Sequence, residues 1–190
     1  LQFDLVAKFG NHMDLIKDLN NGILDLVITP KKHTNKTSLV TYTPFSKERI
    51  VLIAGKQTDT TPINIFLKNQ DKVALEKELQ QHRWYSASNE MEHFRRFWYE
   101  NFNKRPSFKP NYILPSINSI IRCLSHENGL ALVPDFLCKE AIANHGIELV
   151  WEGTAPTENI LYFASRSDLK YKKELAILQD IFITKMKSDV

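Results

Sequence analysis

The sequence predicts an α/β protein, because segments with strand and helix patterns alternate along its 190 residues. Two segments carry this prediction. Residues 116–134 have the pattern of a capped amphipathic helix that runs to Gly129, followed by an apolar strand that stops at Pro134. Residues 19–29 repeat the order of helix, glycine and strand. Strands that end beside helix starts are typical of small-molecule clefts, and neither segment contains an obvious catalytic set, so binding is the first function to consider.

The first part of the chain is predicted to contain one helix and several short strands. Apolar and polar residues alternate from Leu1 to Ala7, as in a strand that is polar on one side. Asn11 can cap a helix that ends at residues 21–22. An apolar strand at 24–28 follows, as expected when both of its faces are covered. We then expect a polar loop at 30–36, short strands at 39–42 and 49–53 on either side of residues 43–46, and a surface segment at 56–63.

The second part alternates helices and strands more regularly. Ser88 is predicted to cap a long helix with large apolar side chains on one face, namely Met91, Phe94, Phe97, Trp98 and Phe102. The other predicted helices cover 73–79, 135–144 and 169–186, and the other predicted strands cover 84–86, 108–114, 147–151 and 160–164. Because strands alternate with helices, we expect largely parallel sheets.

The number of predicted strands is too large for one simply wound sheet. Chain crossings near residues 53–58 and 152–160 would divide the chain into two lobes. Lobe I would contain residues 1–55 and 158–190, and lobe II would contain residues 56–157. Two lobes joined by two strands would form a cleft at their junction, which is a common place for a small-molecule site.

Composition narrows the class of protein. The hydrophobic content of 43% and the aromatic content of 11% are those of a soluble globular protein. No apolar run approaches the roughly 20 residues that cross a bilayer, and nothing at the start resembles a secretion signal. The net charge of +3 is too small to indicate nucleic-acid binding by this segment. The two cysteines indicate no disulfide framework, so we expect a cytoplasmic protein. The start at Leu1 suggests a piece of a longer chain.

The order of these motifs resembles the effector-binding domain of LysR-type transcriptional regulators. The matching segments are residues 19–28, 44–53, 84–85, 124–134 and 161–163 and the C-terminal helix. The resemblance implies a fold like that of type 2 periplasmic binding proteins, with two Rossmann-like lobes around an effector cleft. It also implies a winged helix-turn-helix outside this chain that binds DNA, in a homodimer or tetramer.

This chain departs from the family pattern in two places. The family domain normally opens with another strand and helix before the equivalent of Phe3, and these are absent here. The family often has Gly-x-Gly before the proline that ends the strand, whereas this chain has Glu127-Asn128-Gly129. We therefore expect Asn128 to adopt a positive φ.

Helix starts are predicted to form the effector site, because unpaired N–H groups and the helix dipole attract anions. Under the resemblance, three such starts and two strand ends match the effector contacts of the family. The residues are Gly10, Asn11, Thr29, Ser86, Ala87, Ser88, Ser116, Ile117, Val133 and Pro134. Their hydroxyl and amide groups favour a small carboxylate or an amino-acid-like effector. The alternative is simple helix capping, which Ser and Asn perform in proteins of every class.

The sequence patterns typical of metal binding and catalysis are not found in this chain. The six histidines have no metal-ligand spacing, and the chain contains no P-loop, dinucleotide fingerprint or nucleophile elbow, so we expect neither a cofactor nor an enzyme. Cys123 and Cys138 would form either a thiol switch or, in the simpler interpretation, buried inert thiols. Two alternatives stay open. One is a solute-binding protein of the same fold that serves transport, and the other is an enzyme on this fold, which would need an acid–base pair or an attachment residue in the cleft.

Overall fold

The computed structural model describes residues 3–32, 39–154, 157–168 and 170–188. The chain forms two compact units. Unit 1 consists of Leu1–Glu48 and Asn159–Val190, and unit 2 consists of Arg49–Glu158. Unit 2 therefore begins at residue 49 and ends at residue 158, whereas the predicted lobe II begins at 56 and ends at 157. The chain passes between the units twice, and each time it does so within a strand.

Unit 1 has a small sheet with a helix that is capped as the sequence predicts. Its elements are α1 (His12–Asn20), β1 (Leu26–Thr29), the first half of β2 (Val40–Gly55), most of β7 (Glu158–Arg166) and α7 (Lys172–Ser188). The side chain of Asn11 accepts a hydrogen bond from the Asp14 backbone N–H at 3.0 Å and so caps α1. β1 pairs antiparallel with β7. The buried core of α1 and these strands includes Ile16, Leu19, Val27, Val40 and Ala164.

The strand predicted at residues 1–7 does not form in the described part of this segment. Residues 3–11 have no regular secondary structure, and Val6 and Phe9 are 87% and 93% exposed. The prediction was wrong because alternation shows only that a segment could present two faces, whereas a strand also needs a neighbour for its backbone hydrogen bonds.

The region around Pro44 also differs from the prediction. Instead of two short strands separated by a turn, residues 40–55 form one strand of 16 residues. Proline is tolerated in a strand where no neighbouring carbonyl needs its missing N–H. The second half of β2, from Ile50 to Gly55, is buried throughout. It contributes the central part of the unit 2 sheet.

Unit 2 contains a mixed sheet with helices on both faces. Its other strands are β3 (Trp84–Ser86), β4 (Tyr112–Ile113), β5 (Leu130–Pro134) and β6 (Ile147–Trp151). β2 pairs antiparallel with β5 and β6, whereas β3 pairs parallel with β4 and β5. The sheets are therefore mixed, and the expectation of largely parallel sheets was wrong. Helix–strand alternation did not determine strand direction here, because adjacent strands of this sheet are not always consecutive in the chain.

Two separate cores cover the two faces of this sheet. Along β2, Ile50 and Leu52 belong to one core and Val51 and Ile53 belong to the other, as the two-residue period of a strand requires. The first core contains side chains of α2 (Thr61–Lys68), α3 (Lys72–Leu79) and α4 (Glu92–Phe102). The second contains side chains of α5 (Ile117–Leu124) and α6 (Asp135–Ala143). Because both faces are covered, the strands are nearly all apolar.

Several predicted element boundaries in unit 2 change. The predicted surface segment at 56–63 includes the start of α2, where Ile63 is fully buried. The helix that was expected to run to Gly129 ends at Leu124, and the strand predicted at 108–114 is reduced to residues 112–113. Gly129, rather than Asn128, has the positive φ, at +136°. In the described part of the chain, no helix is both long and apolar enough to cross a membrane.

Candidate functional site

A pocket in unit 2 lies where strand β3 ends and helices α4 and α5 begin. Its volume is about 110 Å³. It is lined by residues from β3 and the turn after it, from the starts of α4 and α5, and from β5, namely Ser86, Ala87, Ser88, Glu92, His93, Phe94, Ile117, Ile120 and Leu132. In an α/β fold, the carboxyl end of a parallel strand beside helix N-termini is a common position for a ligand. Four of the residues predicted from the sequence line this pocket, and they are Ser86, Ala87, Ser88 and Ile117.

Ser86 holds the turn after β3 in a defined shape. Its side chain is 6% exposed. The hydroxyl donates to the carbonyl oxygen of Ser88 at 2.8 Å and accepts from the Ser88 backbone N–H at 3.3 Å. These bonds close a local turn, which positions Ala87 and Ser88 at the pocket. Ser88 is not the helix cap that the sequence suggested, because α4 begins four residues later at Glu92, after Met91 in a left-handed conformation.

The pocket has an apolar floor and a polar rim. Phe94, Ile120 and Leu132 are between 1% and 3% exposed and form the floor. Glu92 is exposed and His93 is half-buried, and both line the pocket from the first turn of α4. Neither residue was predicted from the sequence. In a helix capped by Ser88, both would lie in the second turn. The sequence contains no local signal that marks Met91 as the residue before the helix, so the position of Glu92 and His93 in its first turn was not predictable.

Helix α5 is capped as predicted, but its cap is not part of the pocket lining. The Ser116 hydroxyl accepts from the Ser119 backbone N–H at 3.2 Å and lies 3.0 Å from the Ser119 hydroxyl oxygen. Ile117, the first residue of α5, is the one that lines the pocket. Ser116 therefore determines where the helix begins. Through this cap it orients the backbone N–H groups of the first turn.

The two residues predicted at the end of β5 are both in the interior. Val133 is fully buried in the core under α5 and α6. Pro134 pairs with Ile50 across the sheet and directly precedes α6. Leu132, whose side chain points to the opposite face of the strand from Val133, lines the pocket instead.

The predicted residues of unit 1 form a separate polar group at the start of α1 and the end of β1. Asn11 caps α1, and Gly10 precedes it on the surface. Thr29 is 2% exposed, and its hydroxyl oxygen lies 2.7 Å from Nδ1 of His12. The same oxygen accepts from the Lys31 backbone N–H at 3.2 Å. These bonds hold the helix start beside the strand end.

The two cysteines have different surroundings. Cys123 is half-buried, whereas Cys138 is 1% exposed and its thiol donates to the Asp135 carbonyl oxygen at 3.1 Å. Burial, together with the nearby Asp135 carboxylate, raises the pKa of the Cys138 thiol to about 11. Because only the thiolate is nucleophilic, Cys138 has the properties of an inert core residue.

This difference predicts selective alkylation. In the native protein at pH 8, iodoacetamide should label Cys123 first. Cys138 should react at least about 100-fold more slowly than an ordinary thiol, because its raised pKa removes thiolate and burial blocks access. Peptide mass spectrometry over time measures both rates, and the denatured protein, in which both cysteines should react, is the control. Equal rates in the native protein would contradict this prediction.

The raised pKa of Cys138 also predicts how stability depends on pH. Because the pKa is higher in the folded state, we expect the stabilising effect of the protonated Cys138 thiol to be complete below pH 9 and lost as the pH rises toward 11.

The described residues contain no group of three or more His, Cys, Asp or Glu side chains arranged to hold a metal ion. The pocket instead offers hydroxyls, one carboxylate, one imidazole and an apolar floor. Such a lining can bind and orient a small organic molecule by hydrogen bonds and burial of apolar groups.

Comparison with known proteins identifies the family. Residues 2–178 match the LysR substrate binding domain family. The chain is 21% identical over 169 residues to the HTH-type transcriptional regulator AbaB of Streptomyces antibioticus. The aligned region covers 86% of this chain and 52% of that protein. The chain thus spans about half the length of the curated regulator that it matches.

Solved structures with the same fold include regulatory domains and full-length regulators. The regulatory domain of MetR, a LysR family regulator from N. meningitidis, superposes with a TM-score of 0.64 at 14% identity, over 93% of this chain and 79% of that one. Full-length LysG from Corynebacterium glutamicum with bound effector Arg superposes with a TM-score of 0.67 at 13% identity, over 94% of this chain and 57% of that one. The effector binding domain of QuiR in complex with shikimate has a TM-score of 0.60 at 14% identity, over 94% of this chain and 79% of that one.

At these identities the structures show a shared fold, that of the type 2 periplasmic binding proteins. The family match covers nearly the whole chain. The fold, with two units and a mixed α/β sheet, agrees with that match. This chain belongs to the LysR substrate binding domain family.

Proposed function

We propose that this domain binds a small-molecule effector and thereby controls a DNA-binding transcriptional regulator of which it is a part. The observation that carries the proposal is the unit 2 pocket, in which Ser86, Ala87, Ser88 and Ile117 come together at the end of β3. DNA binding is assigned to a helix-turn-helix outside this chain. Assembly into a homodimer or tetramer is part of the same proposal, because the family resemblance implies it. A cytoplasmic location is proposed as well, because a transcriptional regulator acts where the DNA is.

The lining of the pocket supports a small carboxylate or an amino-acid-like effector. The Ser88 hydroxyl and the first turn of α5 can hydrogen-bond to a polar group, and the helix dipole favours an anionic one. The Ser86 hydroxyl already donates its proton to the Ser88 carbonyl oxygen. No cofactor is needed for binding of this kind. We propose that units 1 and 2 correspond to lobes I and II. Contact of the effector with Gly10, Asn11 and Thr29 of unit 1 stays a prediction.

Regulation would follow from linkage. An effector that binds one arrangement of the protein more tightly than another shifts the population toward the first arrangement. The shift is limited by the difference in binding free energy between the two arrangements. In an oligomer, the same change can alter the spacing of the DNA-binding segments and so the affinity for the operator.

Blocking the pocket tests the proposal. Ser88 is half-buried and lines the pocket, so Ser88→Trp should fill the space without disturbing the cores. We expect that small carboxylates and amino acids found to raise the melting temperature of the wild-type protein no longer do so in this variant. At a concentration of 100 times Kd, about 2.7 kcal/mol of stabilisation should be lost. Thermal denaturation with and without each compound is the measurement.

The matched control is Asn89→Trp, because Asn89 is the next residue along the chain, is exposed, and does not line the pocket. It should keep the full stabilisation. If Ser88→Trp keeps it as well, the effector binds elsewhere and this pocket is not the regulatory site.

A further inference from the structure

The apolar floor of the unit 2 pocket is held rigidly by the surrounding core. Phe94 of α4, Ile120 of α5 and Leu132 of β5 form this floor, and each is between 1% and 3% exposed. The Phe94 ring packs edge-to-face on the Trp84 ring, with centroids 5.0 Å apart, and the Trp84 indole N–H donates to the Leu79 carbonyl oxygen at 2.7 Å. β5 is paired on both sides, with β2 and β3. Because a packed core yields little, the floor has a fixed depth.

The size of the pocket limits the group that can lie on this floor. Its volume is about 110 Å³, whereas an apolar cavity of about 150 Å³ holds a benzene ring. In proportion, the pocket has room for about four carbon atoms and not for a six-membered ring. A ligand whose carboxylate is bound by the Ser88 hydroxyl and the first turn of α5 would therefore fit only with a short tail.

We propose that the effector is a carboxylate with an aliphatic tail of about two to four carbons, and that the floor determines this length. The inference rests on the proposed function and narrows it, because it excludes aromatic and long-chain carboxylates. In this assignment Ile120 is a specificity-determining residue. Its side chain closes the floor from α5, the helix whose first residue, Ile117, also lines the pocket.

Straight-chain carboxylates from acetate to heptanoate test the inference on the full chain, with phenylacetate as the aromatic probe. Ligand-observed saturation-transfer NMR at pH 7 ranks their dissociation constants. We expect the affinity to rise about fourfold with each methylene that the floor covers. The maximum should lie between propanoate and pentanoate, and hexanoate, heptanoate and phenylacetate should bind more weakly. In protein with labelled isoleucine methyl groups, the terminal methyl of butanoate should show a nuclear Overhauser effect to Ile120.

Ile120→Val removes one methyl group from the floor and should move the maximum to a tail longer by about one carbon. Ile121→Val is the matched control. Ile121 is the next residue of α5 and is buried in the same core as Ile120, but it does not line the pocket. The same substitution there should leave the order of affinities unchanged.

The inference is overturned if the affinity keeps rising through heptanoate or if phenylacetate binds as tightly as butanoate. It is also overturned if Ile120→Val leaves the maximum in place, or if both isoleucine variants move it alike, as a general loosening of the core would. In all of these cases Ser88→Trp would still abolish binding. Binding that survives Ser88→Trp contradicts the proposed function instead, and a failure of every probe to bind contradicts both.

Discussion

Replacing Trp98 with alanine should lower the free energy of unfolding by about 3–5 kcal/mol, because it removes a large side chain from the centre of the unit 2 core. Trp98 is fully buried. Its ring centroid lies 5.6 Å from that of Trp84, 5.1 Å from that of Phe108 and 5.2 Å from that of Phe102. Phe102 is on the same helix as Trp98, whereas Trp84 is on β3 and Phe108 lies in the segment that follows α4. Closing the resulting cavity would therefore require β3 or that segment to move.

Chemical denaturation monitored by circular dichroism measures this effect. Tyr99→Ala is the matched control, because Tyr99 is the next residue on α4 and is 62% exposed. Its removal should change the free energy of unfolding by no more than about 0.5 kcal/mol. Similar losses for the two variants would mean that α4 does not present Trp98 to the core.

Replacing Gly55 with alanine should lower the free energy of unfolding by about 2–4 kcal/mol, because the added methyl group has no space. A Cβ atom at Gly55 would lie 2.0 Å from the carbonyl oxygen of Glu127 and 2.9 Å from that of Leu124. Both are backbone atoms, one at the last residue of α5 and one in the loop after it, so relief requires this part of the backbone to move. That movement would disturb the hydrogen bond from the Gly55 N–H to the Gly129 carbonyl oxygen, which is 2.9 Å long.

Gly10→Ala is the control for this glycine. A Cβ atom there would meet the Leu15 side chain at 3.6 Å, which is an ordinary van der Waals contact. Equilibrium unfolding should therefore show a small change for Gly10→Ala and a large one for Gly55→Ala. Equal free energies of unfolding for the two variants would show that the loop between α5 and β5 can move with little loss of stability.

The local elements that could be predicted from the sequence are those with their own caps and periodicity. Ser116 caps α5, and Leu130–Pro134 and Trp84–Ser86 form strands where the pattern places them. The errors occurred where a distant partner decides the outcome. The alternating residues 3–7 form no strand, and Pro44 lies inside a long strand. In each case the presence or absence of a hydrogen-bonding neighbour mattered more than the local pattern.

The candidate site was predictable to a similar extent. The turn after β3 and the start of α5 both contribute to the pocket, as their helix-start chemistry suggested. Glu92 and His93 were missed, because a left-handed Met91 moves the start of α4 past Ser88. Leu132 takes the position expected for Val133. The sequence shows that β5 is buried on both faces, but a strand with two apolar faces carries no signal for which face a pocket uses.

The order of motifs in the sequence was enough to identify the resemblance to the family. The sequence by itself also determined the α/β class and the segments around residues 84–88 and 116–134, because capping, glycine positions and apolar periodicity are local properties of the chain. Only the tertiary structure decided the direction of the strands, the length of β2, and the position of Glu92 and His93 beside an apolar floor to which α4, α5 and β5 contribute. These features depend on contacts between residues far apart in the chain. Their energies are set by the neighbour that packs against a segment, and no local pattern records that neighbour.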